Sequence, residues 1–278
     1  MSEIAYLNGE FLPLTEARVP IDDRGYTFAD GIYEVIVTRN GKPFLSREHF
    51  LRLEHSAAAI DLTLPLPIAE LDKLMLAGIA RAGFAETMVY IQVTRGVAPR
   101  RHDYPEGISP QLLLTFRPCP EAHPQLLEKG IAIITVPEIR WSRCDIKSIA
   151  LLPNVLMKQK AITAGCREAL FVTENGVIHE CTAANIFLAR NGEISTPPAD
   201  HHILAGITRG RIIDKAKTEG LIINEQECSL NDLLTADEVF ITSSTVDLLP
   251  VVTVDGKTIG RGRPGPLSCR IRKWFAAV

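Results

Sequence analysis

Apolar and polar positions change period several times along the chain, and each change predicts an element. Ile4 to Leu7 and Phe11-Leu12 flank Asn8-Gly9, a pair that supplies the positive φ of a tight turn, so a hairpin is expected. A loop carrying Arg24 and Phe28 feeds a β-branched strand that ends near Thr38 and turns back at Asn40-Gly41. Ser46 starts a helix in which Phe50, Leu53, Ala57 and Ile60 recur at helical spacing, with Arg52 off that stripe. A second helix is expected within 68–82, closed by Gly83, and strands follow at 87–94 and 111–116.

Pro118, Pro120 and Pro124 suit an extended spacer. They place a linker at 119–124, between an N-terminal α+β domain (1–118) and a C-terminal domain (125–278). The second domain opens with an apolar strand at 130–136 and later shows a helix at 154–164. Hairpins are marked by Asn175-Gly176, Asn191-Gly192 and Asp255-Gly256, a loop at Leu204–Thr208 opens another helix, and a short helix ends the chain. Many hairpins with few crossover helices predict a barrel-like second domain and no doubly wound sheet.

Composition narrows the function. In 278 residues, 46% are hydrophobic and 23% charged, ordinary values for a globular enzyme with two domains. A net charge of -3 gives no reason to expect nucleic acid or an anionic membrane as partner. No apolar run reaches membrane-spanning length, and the start carries no basic and apolar leader. The six cysteines form no Cys-x-x-Cys pair, which argues against a zinc site and for reduced thiols in the cytoplasm.

The chemistry gathers around Lys147. A cationic run from Arg140 leads into it and an apolar run to Pro153-Asn154 follows, a setting that makes Lys147 a candidate for a lowered pKa and for imine formation with a carbonyl. Gly206-Ile207-Thr208 at a helix start and Ser243-Ser244-Thr245 after a strand both offer donors to a phosphate, with Arg52 as a cationic clamp. Glu180 ends a strand beside small residues, where a buried carboxylate needs a cationic partner such as a pyridinium N–H. Taken singly, each has an ordinary reading: a surface lysine, an N-cap threonine, turn serines, a solvated arginine, an exposed strand-end glutamate. Taken jointly they are the parts that pyridoxal 5′-phosphate requires.

The chain also resembles the class IV, fold-type IV aminotransferases, and within them the D-amino acid branch. The resemblance is carried by Phe28-Ala-Asp-Gly-Ile-Tyr33-Glu-Val, His49-Phe-Leu-Arg52-Leu, Thr94 through His102, Asp145-Ile-Lys147, Glu180 through Asn185, Gly206-Ile-Thr-Arg209 and Ser243-Ser244. It implies two domains, a smaller α/β N-terminal sandwich and a larger C-terminal pseudo-barrel. It implies that Lys147 binds the cofactor covalently and moves the substrate proton, and that Glu180 holds the ring nitrogen. Arg52, Ile207, Thr208 and Ser244 would hold the phosphate, with Ser243 nearby and Leu204 against the ring. Tyr33, Arg100 and His102 would bind the substrate α-carboxylate, the last two from the partner in a homodimer. The implied reaction exchanges amino groups between D-amino acids and 2-oxo acids, with no metal. Rivals of the same fold are a branched-chain L-amino acid aminotransferase, an (R)-amine transaminase and aminodeoxychorismate lyase; a non-catalytic cofactor carrier is the rival of another class. Cys181-Thr182-Ala183-Ala184 departs from the glycine and serines frequent in the family.

Overall fold

The structure, a computed structural model, describes residues 1–120 and 124–276. The chain divides into two compact units, Met1–Pro120 with Ile146–Ala150, and Glu121–Asp145 with Leu151–Val278. Of the linker expected at 119–124, residues 121–123 lie outside the described residues. Ile146–Ala150, which the sequence boundary placed in the C-terminal domain, belongs to the first unit. Ile146 is part of its core, and Ser148 bridges Ile32.

In the first unit the strands are β1 (Ile4–Leu7), β2 (Glu10–Pro13), β3 (Gly31–Arg39), β4 (Lys42–Pro43), β5 (Thr87–Thr94) and β6 (Gln111–Pro118). They form one antiparallel sheet in the order β2-β1-β6-β5-β3-β4. Helix α2 (Ser46–Ala58) packs on β3, and α3 (Ile68–Ala82) packs on β1, β5 and β6. Strand β5 alternates buried and half-buried positions, as one face of a sheet against helices requires. The core fills with Ile32, Ile36, Leu53, Leu71, Met75 and Phe116. A short helix, α1 (Arg24–Phe28), stands where the pattern predicted only a loop. Asp23 causes it by accepting the Gly25 N–H, and Ala29 ends it in the left-handed conformation.

The second unit begins with α4 (Pro124–Lys129), also unforeseen, and β7 (Ile131–Pro137). Then come α5 (Leu152–Thr163), β8 (Glu168–Val172), β9 (Val177–Cys181), β10 (Asn185–Arg190) and β11 (Glu193–Thr196). Helix α6 (Ile207–Thr218) is followed by β12 (Ile223–Glu225), β13 (Cys228–Ser229) and α7 (Leu230–Leu234). The chain closes with β14 (Glu238–Ser243), β15 (Asp247–Val254), β16 (Lys257–Thr258) and α8 (Pro266–Ala276). The sheet runs β12-β11-β10-β14-β15-β7-β8-β9-β13, with β16 on β15. Although β9 and β10 are far apart in that order, they touch across the tight turn at 181–185. The sheet therefore curls back on itself, and β8, β10 and β14 are buried along nearly their whole length.

Close packing makes one substitution in the first unit decisive. Gly78 lies in α3 so near Phe116 that an added Cβ would fall 2.0 Å from the ring. Alanine in place of a mid-helix glycine favours the helix by about 0.5–1 kcal/mol, whereas overpacking a filled core costs about 1–3 kcal/mol. Gly78→Ala is therefore expected to lower the urea midpoint of unfolding, despite the better helix former.

Candidate active site

Lys147 is held by its backbone on both sides. Its N–H donates to Ser56 Oγ (3.1 Å), and its carbonyl accepts from the Tyr33 N–H (3.0 Å). The Ile149 N–H continues the pairing to Gly31 O (3.1 Å), so the lysine segment lies along the start of β3. The side chain, half-buried, carries its Nζ 4.2 Å from the centre of the Tyr33 ring, which in turn stacks on Tyr90.

Helix α2 supports this segment with one face. His49, Arg52 and Ser56 follow one another at helical spacing, and the first two meet Glu34 of β3. Arg52 donates to both Glu34 oxygens (2.7 and 2.8 Å), and His49 Nδ1 lies 2.7 Å from the second. The hydrophobic stripe left Arg52 outside the core, but its side chain is only 9% exposed because this ion pair carries it inward. Burial pushes the Glu34 carboxyl up, yet the charge and hydrogen bonds of Arg52 with those of His49 outweigh it and leave it at about 2. Burial pushes the His49 ring below its ordinary value, against the pull of Glu34.

Arg100 and His102 sit exposed on the loop after β5. The Arg100 guanidinium lies 4.9 Å from the centre of the Phe28 ring, and the His102 ring 5.4 Å from it. Among the described residues no carboxylate pairs with Arg100, whereas Arg101 beside it pairs with Asp103 at 2.9 Å. An exposed cation held on an aromatic ring without a counter-charge is suited to an arriving anion.

In the second unit Glu180, 7% exposed, is the hub. One oxygen takes Arg140 Nη1 (2.5 Å) and the Leu204 N–H (3.1 Å); the other takes Asn185 Nδ2 (3.1 Å). Asn185 also donates to Leu204 O (2.8 Å), tying the end of β9 to the loop before α6. Arg140 lies 4.3 Å from the Phe171 ring centre and donates to Glu138 and to His202 O. Burial works against its charge, but Glu138 and Glu180 more than restore it and raise its pKa. Glu138 also lies 2.8 Å from His179 Nδ1, so a polar chain runs outward from Glu180 through Arg140 and Glu138 to His179.

Helix α6 starts next to this hub. Gly206 precedes it in extended conformation, and no side chain caps the helix, which leaves the first-turn N–H groups of Ile207 and Thr208 as donors. Only glycine fits there, since a Cβ would lie 2.0 Å from Asn185 Oδ1. The register of β10 on β14 pairs Asn185 with Thr242, so Ser243 follows as the last residue of β14 rather than a turn residue, and Ser244 comes next. Glu180, Leu204, Ile207, Thr208, Ser243 and Ser244 thus lie on elements that Asn185 and the β10–β14 ladder bind together. The Cys181–Ala184 turn has a local explanation. Thr182 donates its hydroxyl to buried Glu168, and Asn154 holds the Thr182 carbonyl at 2.8 Å. The threonine therefore braces the turn from behind. Elsewhere, Asp200, His201 and His202 bring ligand atoms within 4.8 Å at an exposed turn, but Asp200 and His202 already bond each other at 3.2 Å.

A family model described as amino-transferase class IV matches residues 31–254. The chain belongs to the class IV aminotransferases. A D-alanine aminotransferase of Bacillus licheniformis is 42% identical over 267 residues, 95% of this chain and 93% of its own length. One from Staphylococcus haemolyticus is 37% identical over 270 residues, 97% of this chain and 95% of its own. Among solved structures, an Escherichia coli branched-chain amino acid aminotransferase matches with a TM-score of 0.93 and 27% identity, covering 100% of this chain and 95% of that one. A T.th. branched-chain amino acid aminotransferase, complexed with N-(5′-phosphopyridoxyl)-L-glutamate, matches at 0.89 and 25%, covering 99% and 93%. The two-part α+β architecture with a curled second sheet is that of this family.

Five polar residues around the expected site residues of this aminotransferase were missed by the pattern reading: Glu34, His49, Glu138, Arg140 and Asn185. Glu34, His49 and Asn185 stand inside the family-like motifs. Arg140 opens the Lys147 stretch, but no spacing rule shows that it folds onto a glutamate 40 positions away.

The Glu34 and His49 shifts contribute to the acid limb of stability, as does Glu138, which burial pushes up but His179 and Arg140 likewise hold at about 2. Below the ordinary carboxylate value of 4.5 the unfolded chain takes up a proton that folded Glu34 refuses until about pH 2. Below the ordinary imidazole value of 6.5 the unfolded His49 likewise charges before the folded one. Both contributions are present at higher pH and lost as pH falls. Glu34→Gln, which leaves buried Arg52 without its counter-charge, is expected to cost about 3–5 kcal/mol at neutral pH. It should also flatten the loss of stability between pH 4.5 and 2; urea midpoints measured from neutral pH down through that range check both.

Proposed function

We propose that this aminotransferase exchanges amino groups between D-amino acids, D-alanine among them, and 2-oxo acids such as 2-oxoglutarate, with pyridoxal 5′-phosphate as cofactor. The observation that carries the D-amino acid reading is Arg100, a cation on Phe28 with no carboxylate partner among the described residues. The names of the relatives at 42% and 37% identity support it. The branched-chain neighbours keep an L-amino acid aminotransferase as the second reading, at 27% and 25% identity.

The residues fit the cofactor. The uncapped start of α6 with its Gly206 cradle suits a phosphate, and Glu180, an acceptor with its own cationic support, suits a protonated ring nitrogen. Pyridoxal phosphate, when bound, supplies a carbonyl for amine exchange and an electron-withdrawing ring. Lys147 would hold the cofactor through Nζ, and its free amine would be the group placed to move the proton of the substrate Cα. Its doubly bonded backbone leaves only the side chain to move. Glu180, its carboxylate held in place by Arg140 and Asn185, would hold the ring nitrogen protonated. Arg52, the N–H groups of Ile207 and Thr208, and the hydroxyls of Thr208, Ser243 and Ser244 would hold the phosphate, with Leu204 beside the ring. Tyr33, Arg100 and His102 would hold the substrate α-carboxylate and so set which Cα configuration is accepted.

The working form we infer is a homodimer in which Arg100 and His102 serve the site of the other subunit. Their exposure supports this, as do the exposed apolar side chains of Tyr26, Leu152 and Val155. The division we infer is 1–118 and 125–278 apart from the lysine segment. The six free cysteines suit a reducing cytoplasm.

With 2-oxoglutarate as acceptor, D-alanine is expected to give pyruvate readily and L-alanine hardly at all; the reverse preference would point to the branched-chain reading. Arg100→Ala should lower D-alanine turnover by the roughly 2–5 kcal/mol of a truncated, partly dry charge pair. Borohydride should bleach the yellow enzyme and leave the reduced cofactor on the peptide containing Lys147. Lys147→Ala is expected to fold and to be inactive, and label on any other lysine would sink its role.

A further inference from the structure

Arg24 is a buried arginine that no part of the proposed chemistry uses; it is 3% exposed. Its guanidinium is fully directed. Nε donates to Asp30 Oδ2 (2.8 Å), Nη1 to the Arg101 carbonyl (2.6 Å) and Nη2 to the His102 carbonyl (3.5 Å). The longest of these is weak, so the bond to Arg101 carries the pair. These two carbonyls belong to the peptide planes on either side of His102. A peptide plane is rigid, so holding both sets the direction in which the His102 side chain leaves the backbone.

The same guanidinium lies 4.8 Å from the centre of the Phe28 ring, the ring that also carries Arg100 at 4.9 Å and His102 at 5.4 Å. The main chain adds to the hold: the Arg24 N–H donates to Gly96 O (2.9 Å), and Asp23 bridges Val97. Asp30 is not Arg24's alone. It also takes Arg95 Nε (2.8 Å), and Arg95 donates to the carbonyls of Ile60 and Asp61. Arg95 thus ties Asp30 to the end of the α2 region, a task of the fold. What Arg24 adds is the loop: both its carbonyl acceptors lie at 101 and 102.

We propose that Arg24 is the positioning residue of the carboxylate-binding loop, fixing the backbone around His102 and sharing Phe28 with Arg100 without touching substrate itself. The inference rests on the reading that Arg100 and His102 bind the substrate carboxylate. The planar fork matters as well as the charge. A lysine ammonium is a single point on a flexible stem and cannot span Asp30 and two successive carbonyls with one orientation.

The test is a mutant cycle on the holoenzyme with D-alanine. Arg24→Lys keeps the buried charge, so cofactor content and melting temperature should stay near wild type. Its kcat/KM should fall about 10- to 100-fold, mostly through KM, as expected for a misplaced binding group. In an Arg100→Ala background the same substitution should cost little more, because the loop it positions has already lost its main contact. Wild-type constants for Arg24→Lys beside an impaired Arg100→Ala would overturn the proposal. Losses that multiply in the double variant would also overturn it, since Arg24 would then act outside the loop. An unimpaired Arg100→Ala would remove the carboxylate reading, and this one with it. Should the lysine variant fail to fold, Arg24→Gln removes the fork while Asp30 stays paired with Arg95. It should show the same rise in KM, silent again in the Arg100→Ala background, and an unchanged KM there counts against Arg24.

Discussion

Buried charge must be matched inside the protein, because an ion taken out of water without a partner costs several kcal/mol. Three clusters meet that demand, and each orients residues expected at the site, whereas Lys147 is held by its backbone bonds to Ser56 and Tyr33. Arg52 is set by Glu34 and His49, Glu180 by Arg140 and Asn185, and the 100–102 loop by Arg24 with Asp30. In each case a planar fork or a carboxylate with two directional oxygens does the matching, so charge compensation fixes orientation as well as energy.

That coupling explains why the polar residues outside the expected site belong with it. Glu34 is fully buried and contacts no expected substrate group, yet it decides where the Arg52 fork points. Glu138 does the same for Arg140, one step further from Glu180. Such groups are costly to bury and hard to replace singly, since removing one partner leaves the other charged and alone.

The turn at Cys181–Ala184 shows the same economy with a neutral group. It has neither the glycine nor the serines of the family pattern, but Thr182 is spent on Glu168 and Asn154 on the Thr182 carbonyl. The turn is held from behind, and Ala183 is the residue it leaves exposed.

Periodicity and turn chemistry determined most of the elements: the Asn8-Gly9 hairpin, helices α2 and α3, the strand at Thr87–Thr94 and the hairpins of the curled sheet follow from short-range rules about φ and side-chain spacing. The order of the motifs determined the family, and with it Lys147, Glu180 and the phosphate residues as expectations. Tertiary structure alone decided the rest. It moved Ile146–Ala150 into the first unit, turned the Arg24–Phe28 loop into a helix, extended β14 through Ser243 and drew Arg52 inward. It also joined Arg140 to Glu180 and Arg24 to residues 101 and 102, contacts that span 40 and 77 or more positions. Short-range patterns reflect backbone preference and one-dimensional burial, whereas the pairing of buried charges depends on which distant segments the packed sheets bring within hydrogen-bond reach.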